Sequence, residues 1–266
     1  MSEITQRDAD SAAQRPALSL AVPCYNEADS IRNTAQRLTE AFQARNISLE
    51  LVLVDNGSSD ATGRIIDEMA AEGMPVVKEV VVQNEGYGNG VLRGLARCRG
   101  EHVGFICADG QVEAHDVVKL YEVAAHATAP KLVKVRRRFR MDGFKRKIVS
   151  IVFNVVANVV YGGLRSIDIN GNPKIFPGEY LPRMELTSKD WFLDAEVMIK
   201  AKRLGLSVFE MNVIAQMREE GVSHVRSSTI WEFVRNLLRW RVGRRGGLPD
   251  GGQGVRDREG ASASSS

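Results

Sequence analysis

The chain has 266 residues, 44% of them apolar and 26% charged, with a formal net charge of +3. That is length enough for one large domain with its own core, and so small a charge excludes a protein built around bulk nucleic-acid binding. Three cysteines, Cys24, Cys98 and Cys107, follow no metal-ligand spacing and predict reduced thiols in a cytoplasmic setting.

Residues 1–16 carry no apolar core, so they predict a disordered segment and no signal peptide. "ALSLAVPCYN" is an apolar run stopped at Pro23 and reads as a buried strand. The next segment sets Ile31, Ala35, Leu38 and Phe42 at helical spacing, with Asp29 or Ser30 as the cap. Strand, polar turn and helix then repeat through Leu49–Val54 and a helix starting near Asp60. "VVKEVVV" and "EHVGFICAD" are further strands, joined by the short helical pattern "GVLRGLARCRG". Strands alternating with helices predict a mostly parallel sheet with crossover helices. In such an α/β fold the ligand crevice lies outside the carboxyl ends of the strands. "PCYNE", "DNGSSD" and "ADGQ" all fall at such ends, which argues for one shared site.

Beyond Lys131 the pattern changes. "KLVKVRRRFRMDGFKRK" holds nine basic residues against one Asp. In the apolar run that follows, Arg146, Ser150, Asn154 and Asn158 are spaced by four, which predicts a helix with one polar stripe. "SIDINGNPKIF" reads as loop and strand, "DAEVMIKAKRLG" as a helix closed by Gly205, and "SVFEMNVIAQMR" as a strand. Residues 227–245 form an amphipathic pattern, and the Gly/Ser-rich 246–266 predict a disordered tail. No stretch offers the roughly 20 apolar residues of a spanning helix.

The glycines of "NEGYGNGVLRG" do not fit a dinucleotide fingerprint, since Val91 or Arg93 stands where the third glycine belongs. Two readings of Gly86 and Gly88 stay open: a flexible turn, or a backbone that closely approaches a nucleotide. Asp55 ends an apolar strand, where a carboxylate can accept hydrogen bonds from the N–H groups of uracil or guanine. Asp194 and Glu196 open a helix, a position where carboxylates also simply complement the helix dipole.

"LSLAVPCYNEADSI", "LVLVDNGSSDATGRIIDEMA", "GYGNGVLRGLARCRGEHVGFICADGQ" and "MREEGVSHVR" resemble the family 2 inverting glycosyltransferases of GT-A fold. Within them the chain is most similar to the dolichol- or polyprenyl-phosphate hexosyltransferases. The resemblance implies a single GT-A (Rossmann-like) domain over 17–226, with a nucleotide-binding half at 17–116 and an acceptor half at 117–226. It implies that Pro23, Tyr25, Glu27 and Asp55 line the base and ribose. Where relatives read Asp-x-Asp-x-Gln this chain has Cys107, Asp109 and Gln111. Asp109 and Gln111 then stand at the positions facing a Mg²⁺ or Mn²⁺ ion, which prefers oxygen ligands and shares diphosphate oxygens. Arg136 matches an arginine that follows a strand, and Arg146 with Ser150 matches a pair around the acceptor phosphate. Lys174, where relatives carry Gly-Phe-Arg against Asn-Pro-Lys here, and Arg218 match donor-phosphate contacts. Asp168 stands at a characteristic acidic position.

The implied reaction is metal-dependent inverting transfer of a hexose from a GDP-mannose or UDP-glucose type donor to a polyprenyl phosphate. A lipid phosphate is already an anion and needs no base; a sugar hydroxyl would need one, with Asp194 or Glu196 as candidate. Two alternatives stand beside it: a soluble family 2 enzyme acting on a glycan or small-molecule hydroxyl, and an inactive nucleotide-sugar-binding protein marked by Cys107. Partners are then a nucleotide sugar and a polyprenyl phosphate, with no nucleic acid. The 227–245 helix would give peripheral contact with the cytoplasmic membrane face.

Overall fold

The computed structural model describes residues 15–137, 163 and 166–213. The helix expected around Arg146 to Asn158, the 227–245 helix and the 246–266 tail lie outside the described residues.

The described residues form a seven-stranded sheet in the order β3-β2-β1-β4-β6-β5-β7. The strands are β1 (Leu18–Cys24), β2 (Leu49–Asn56), β3 (Val76–Val81), β4 (His102–Phe105), β5 (Lys131–Arg137), β6 (Lys174–Pro177) and β7 (Ser207–Val213). The helices are α1 (Ile31–Gln43), α2 (Thr62–Ala71), α3 (Tyr87–Leu95), α4 (Ala114–Ala125), α5 (Leu181–Met184) and α6 (Leu193–Arg203). All pairings are parallel except those of β6, which runs antiparallel to both β4 and β5. Its register sets Lys174 beside Phe105 of β4 and Lys134 of β5. The start of β6 is thereby delivered to the edge where β1, β2, β4 and β5 end.

Both faces of the sheet are buried, which is why its central strands read as unbroken apolar runs. Leu18, Leu20 and Val22 of β1 pack with Ile31, Leu38 and Phe42 of α1, Ile66 of α2 and Val117 of α4. Ala21 points the other way, into a cluster with Val91 and Leu95 of α3 and Val197 and Met198 of α6. The period of 2 in the strand thus separates two apolar layers.

The expected elements are present, with shifted ends. β4 stops at Phe105 rather than running to Asp109, and only the Ile106 N–H continues the pairing, onto Ala21 O at 3.0 Å. Ser30 occupies the N-cap of α1 but makes no capping bond; its hydroxyl donates instead to Glu27 Oε2 at 2.7 Å. α3 starts at Tyr87 with Gly86 as its N-cap, so the helix takes in Gly88 as well as the expected Gly90 and Gly94.

α3 lies so close to the sheet that a Cβ at Gly94 would stand 2.6 Å from Ala21 Cβ and 2.9 Å from Val54 Cγ2. Gly94→Val is therefore expected to destabilise the fold by about 1–3 kcal/mol through overpacking, seen as a drop in Tm by thermal denaturation.

Candidate active site

The loops after β1 and β2 are laced together. Asn26 N–H donates to Ser58 Oγ at 3.2 Å, Asn26 Oδ1 accepts from Ser59 N–H at 2.8 Å, and Glu27 N–H donates to Thr62 Oγ1 at 2.9 Å. Asn26 itself sits at φ 56, a left-handed conformation that asparagine tolerates. Asp55 Oδ1 accepts the Ser58 N–H at 3.0 Å. Its Oδ2 would lie 2.4 Å from a Cβ on Gly63, so α2 needs glycine there to leave the carboxylate its place. Pro23 packs where a Cβ on Gly90 would be 3.0 Å away, and Tyr25 is exposed at this rim.

Asp109 stands in a turn four residues beyond β4. Its Oδ1 accepts the Gln111 N–H at 3.3 Å, Gly110 takes φ 63, and Thr34 Oγ1 of α1 donates to Ala108 O at 2.9 Å. Asp109, Gln111 and Cys107 line one cleft with Thr34 and Arg37 of α1, Arg137 of β5 and Asn172 before β6. Burial pushes the Cys107 thiol up to about 12, and the charges of Asp109 and Asp194 add to that; Arg137 opposes it. At neutral pH it is a thiol, not a thiolate.

A hard divalent cation takes one or two protein carboxylates and fills its shell from substrate phosphates and water. One carboxylate and one carboxamide in a cleft fit that arrangement. They do not make a protein cage, and among the described residues no three His, Cys, Asp or Glu side chains converge as a metal site.

Arg137, not Arg136, faces this cleft. Along β5 the side chains alternate: Val133 and Val135 belong to the layer of α1, and Leu132 to the opposite layer, so Arg137 shares the side of Ile106 and Thr34. Arg137 holds Asp168 in a bidentate pair, Nε to Oδ2 at 3.0 Å and Nη2 to Oδ1 at 3.1 Å, and donates to Asn170 O at 3.0 Å. Burial alone would raise the Asp168 pKa; the guanidinium charge and its hydrogen bonds outweigh that and hold it well below the usual carboxylate range.

Behind the cleft Lys174 and Asp194 form a buried ion pair, at 0% and 1% exposure. Lys174 also donates to Gly171 O and Asn172 Oδ1, each at 3.1 Å, and lies over the Phe105 ring. Asp194, a candidate base, is thus occupied by a cation. Glu196 is fully buried and accepts N–H bonds from Thr187 at 3.1 Å and Ser188 at 2.8 Å. That ties down a segment whose carbonyls cover Gly86 and Gly88: a Cβ at Gly86 would meet Lys189 O at 2.6 Å, and one at Gly88 would meet Ser188 O at 2.4 Å. The need for glycine at both positions is met by this protein contact. Arg146, Ser150 and Arg218 lie outside the described residues.

Arg137, Asn172 and Arg37 were missed by sequence reasoning. The parity of β5 was the available signal for Arg137; nothing local marks the other two.

The model of the family "Glycosyl transferase family 2" matches residues 19–177, across the sheet edge and its cleft. The chain belongs to glycosyl transferase family 2. Among curated proteins, this family 2 chain is similar to the undecaprenyl-phosphate 4-deoxy-4-formamido-L-arabinose transferase of Pseudomonas fluorescens (strain SBW25), 31% identical over 139 residues. That match covers 52% of this chain and 40% of the relative. The enzyme of the same name from Proteus mirabilis (strain HI4320) is 29% identical over 146 residues, with 54% and 44% covered. The match therefore spans well under half the length of these curated relatives. Among solved structures, glucosyl-3-phosphoglycerate synthase from Mycobacterium tuberculosis with Mn²⁺ and UDP-glucose aligns at a TM-score of 0.66 and 21% identity. The alignment covers 95% of this chain and 86% of that one. The complex with Mn²⁺, UDP and phosphoglyceric acid gives 0.64 at 21%. These likenesses establish the GT-A fold of this single family 2 domain.

Two measurements probe the site's frame. Lys174→Met alone should cost about 3–5 kcal/mol by stranding a buried carboxylate, while Lys174→Met with Asp194→Leu should recover much of it; denaturant unfolding of the unaltered chain, both single variants and the double variant checks this. Because the folded Asp168 pKa is depressed, its contribution is fully present above the unfolded carboxylate value of about 4 and is lost as pH falls below it. Asp168→Asn should flatten the acid limb of a stability profile below about pH 4.

Proposed function

We propose that this family 2 domain transfers a sugar, a hexose in our reading, from a nucleoside-diphosphate donor to a polyprenyl phosphate with inversion. The observation that carries this choice of acceptor is the state of the two candidate bases. Asp194 is paired with Lys174 and Glu196 is saturated by backbone N–H groups, an arrangement that suits an acceptor already ionised. The naming of the curated relatives for undecaprenyl phosphate supports the same reading.

In this scheme Pro23, Tyr25, Glu27 and Asp55 hold the base and ribose. Asp109 and Gln111 would hold Mg²⁺ or Mn²⁺ together with diphosphate oxygens, and the cation when bound supplies charge stabilisation for the leaving group. The acceptor phosphate oxygen attacks the anomeric carbon. The bond from that carbon to the diphosphate oxygen breaks, and its electron pair leaves with the nucleoside diphosphate. No proton needs to move. Arg137, with its Nε and Nη2 held by Asp168, keeps Nη1 for a phosphate oxygen at the cleft; Arg146 and Arg218 add positive charge and Ser150 a hydroxyl donor. Lys174, 0% exposed and neutralised by Asp194, positions the cleft wall through Asn172 rather than touching phosphate. The amphipathic pattern of residues 227–245 would bring the domain to the cytoplasmic membrane surface.

A panel of nucleotide sugars with undecaprenyl phosphate, with and without Mg²⁺ or Mn²⁺, tests this by scoring glycolipid. Product is expected with one donor and loss of it on chelation. Arg137→Lys, which keeps the charge but cannot hold Asp168 and reach a phosphate at once, should lower kcat/KM for the lipid phosphate by roughly tenfold or more. Turnover only with hydroxyl acceptors would sink the proposal.

A further inference from the structure

Trp191 and Tyr87 lie face to face beside the cleft, ring centroids 4.4 Å apart and planes 10° from parallel. Trp191 is the outer member, 37% exposed, an unusual place for so large an apolar ring. Tyr87 is anchored from behind. Its hydroxyl accepts from Asn172 Nδ2 at 3.0 Å, and that nitrogen lies 3.8 Å from Cys107 Sγ. Asn172 and Cys107 are both cleft-wall residues, so one hydrogen bond joins the stack to the wall.

The backbone on either side of Trp191 is fixed. Upstream, Glu196 holds Thr187 and Ser188, and Lys189 O accepts the Asn89 N–H at 2.9 Å. At the ring itself, Asp190 Oδ1 accepts the Phe192 N–H at 2.8 Å. Phe192, next in the chain, is buried at 2%. A ring on so constrained a segment is preorganised, and preorganised groups bind without an ordering cost.

The chemistry of the surroundings selects the ligand. The residues flanking the ring are polar: Asp190, and Lys189 paired with Glu85 at 2.5 Å. A flat apolar face with a polar rim matches a sugar ring, whose C–H bonds lie on one face and whose hydroxyls project at the edge. A polyprenyl chain would need a continuous apolar groove, which these charged neighbours interrupt. We propose that Trp191, backed by Tyr87, is a stacking platform for the sugar ring of the donor and helps decide which sugar is accepted. This rests on the nucleotide-sugar reading above.

Calorimetric titration of the full chain with UDP, UDP-glucose, GDP and GDP-mannose tests it, with Trp191→Leu, Trp191→Phe and Tyr87→Phe alongside. Trp191→Leu should weaken the preferred nucleotide sugar about tenfold while leaving its nucleoside diphosphate unchanged, and Trp191→Phe should keep most of the affinity. Tyr87→Phe, which retains the stack, should also stay close to the unaltered chain. Unchanged diphosphate binding doubles as the sign of a folded variant. Equal weakening of sugar nucleotide and diphosphate, or no weakening of either, overturns the platform alone. Failure of the unaltered chain to bind any of the four overturns the nucleotide-sugar reading, and the platform with it.

Discussion

Lys174 and Asp194 meet in the interior with almost no exposed surface, and the pair joins β6 to α6 at the edge where the parallel strands end. A buried charge without its partner costs several kcal/mol, so neither element can shift while the other stays. Lys174 also holds Gly171 O and Asn172 Oδ1, which sets the loop before β6. That loop presents Asn172 to Cys107 and Tyr87, and its earlier part gives Asp168 to Arg137. The cleft wall is therefore a consequence of one ion pair and the loop it anchors.

A second layer of control is backbone against backbone. α3 begins with glycines because the 188–190 segment rests on them, and Glu196 keeps that segment in place. Two features that looked independent in the sequence, a glycine-rich turn and an acidic helix start, are the two halves of one contact. Their smallness and charge follow from packing.

Much of the frame was legible. The apolar runs of β1 and β2 and the spacing of Ile31, Ala35, Leu38 and Phe42 are local patterns, and local patterns predict elements. Asp55 and Asp109 were found because they follow apolar runs. What could not be read was pairing across distance. Nothing near Asp194 or Lys174 in sequence announces that they neutralise each other 20 residues apart, so one looked like a base and the other like a phosphate ligand. Arg136 was matched to an arginine that follows a strand in relatives; only the strand's alternation, once its start is known, turns Arg137 toward the cleft. The end of β4 was misplaced because Ile106 and Ala108 stay buried after the pairing stops.

Lys134 of β5 is the register partner of Lys174 in β6, and both ammonium groups are buried, Lys134 against Asp168 O, Val135 O and Glu210 Oε1. Burial and the charge of Lys174 lower Lys134 to about 8. A slip of β6 by one residue would turn Lys174 to the opposite, apolar layer, where Val133, Val135 and Ile175 now pack. Lys174 and Asp194 therefore work as a key and lock for strand alignment: a four-residue strand, too short to be specified by hydrophobic alternation, is held to a single register by where its one charge can be answered.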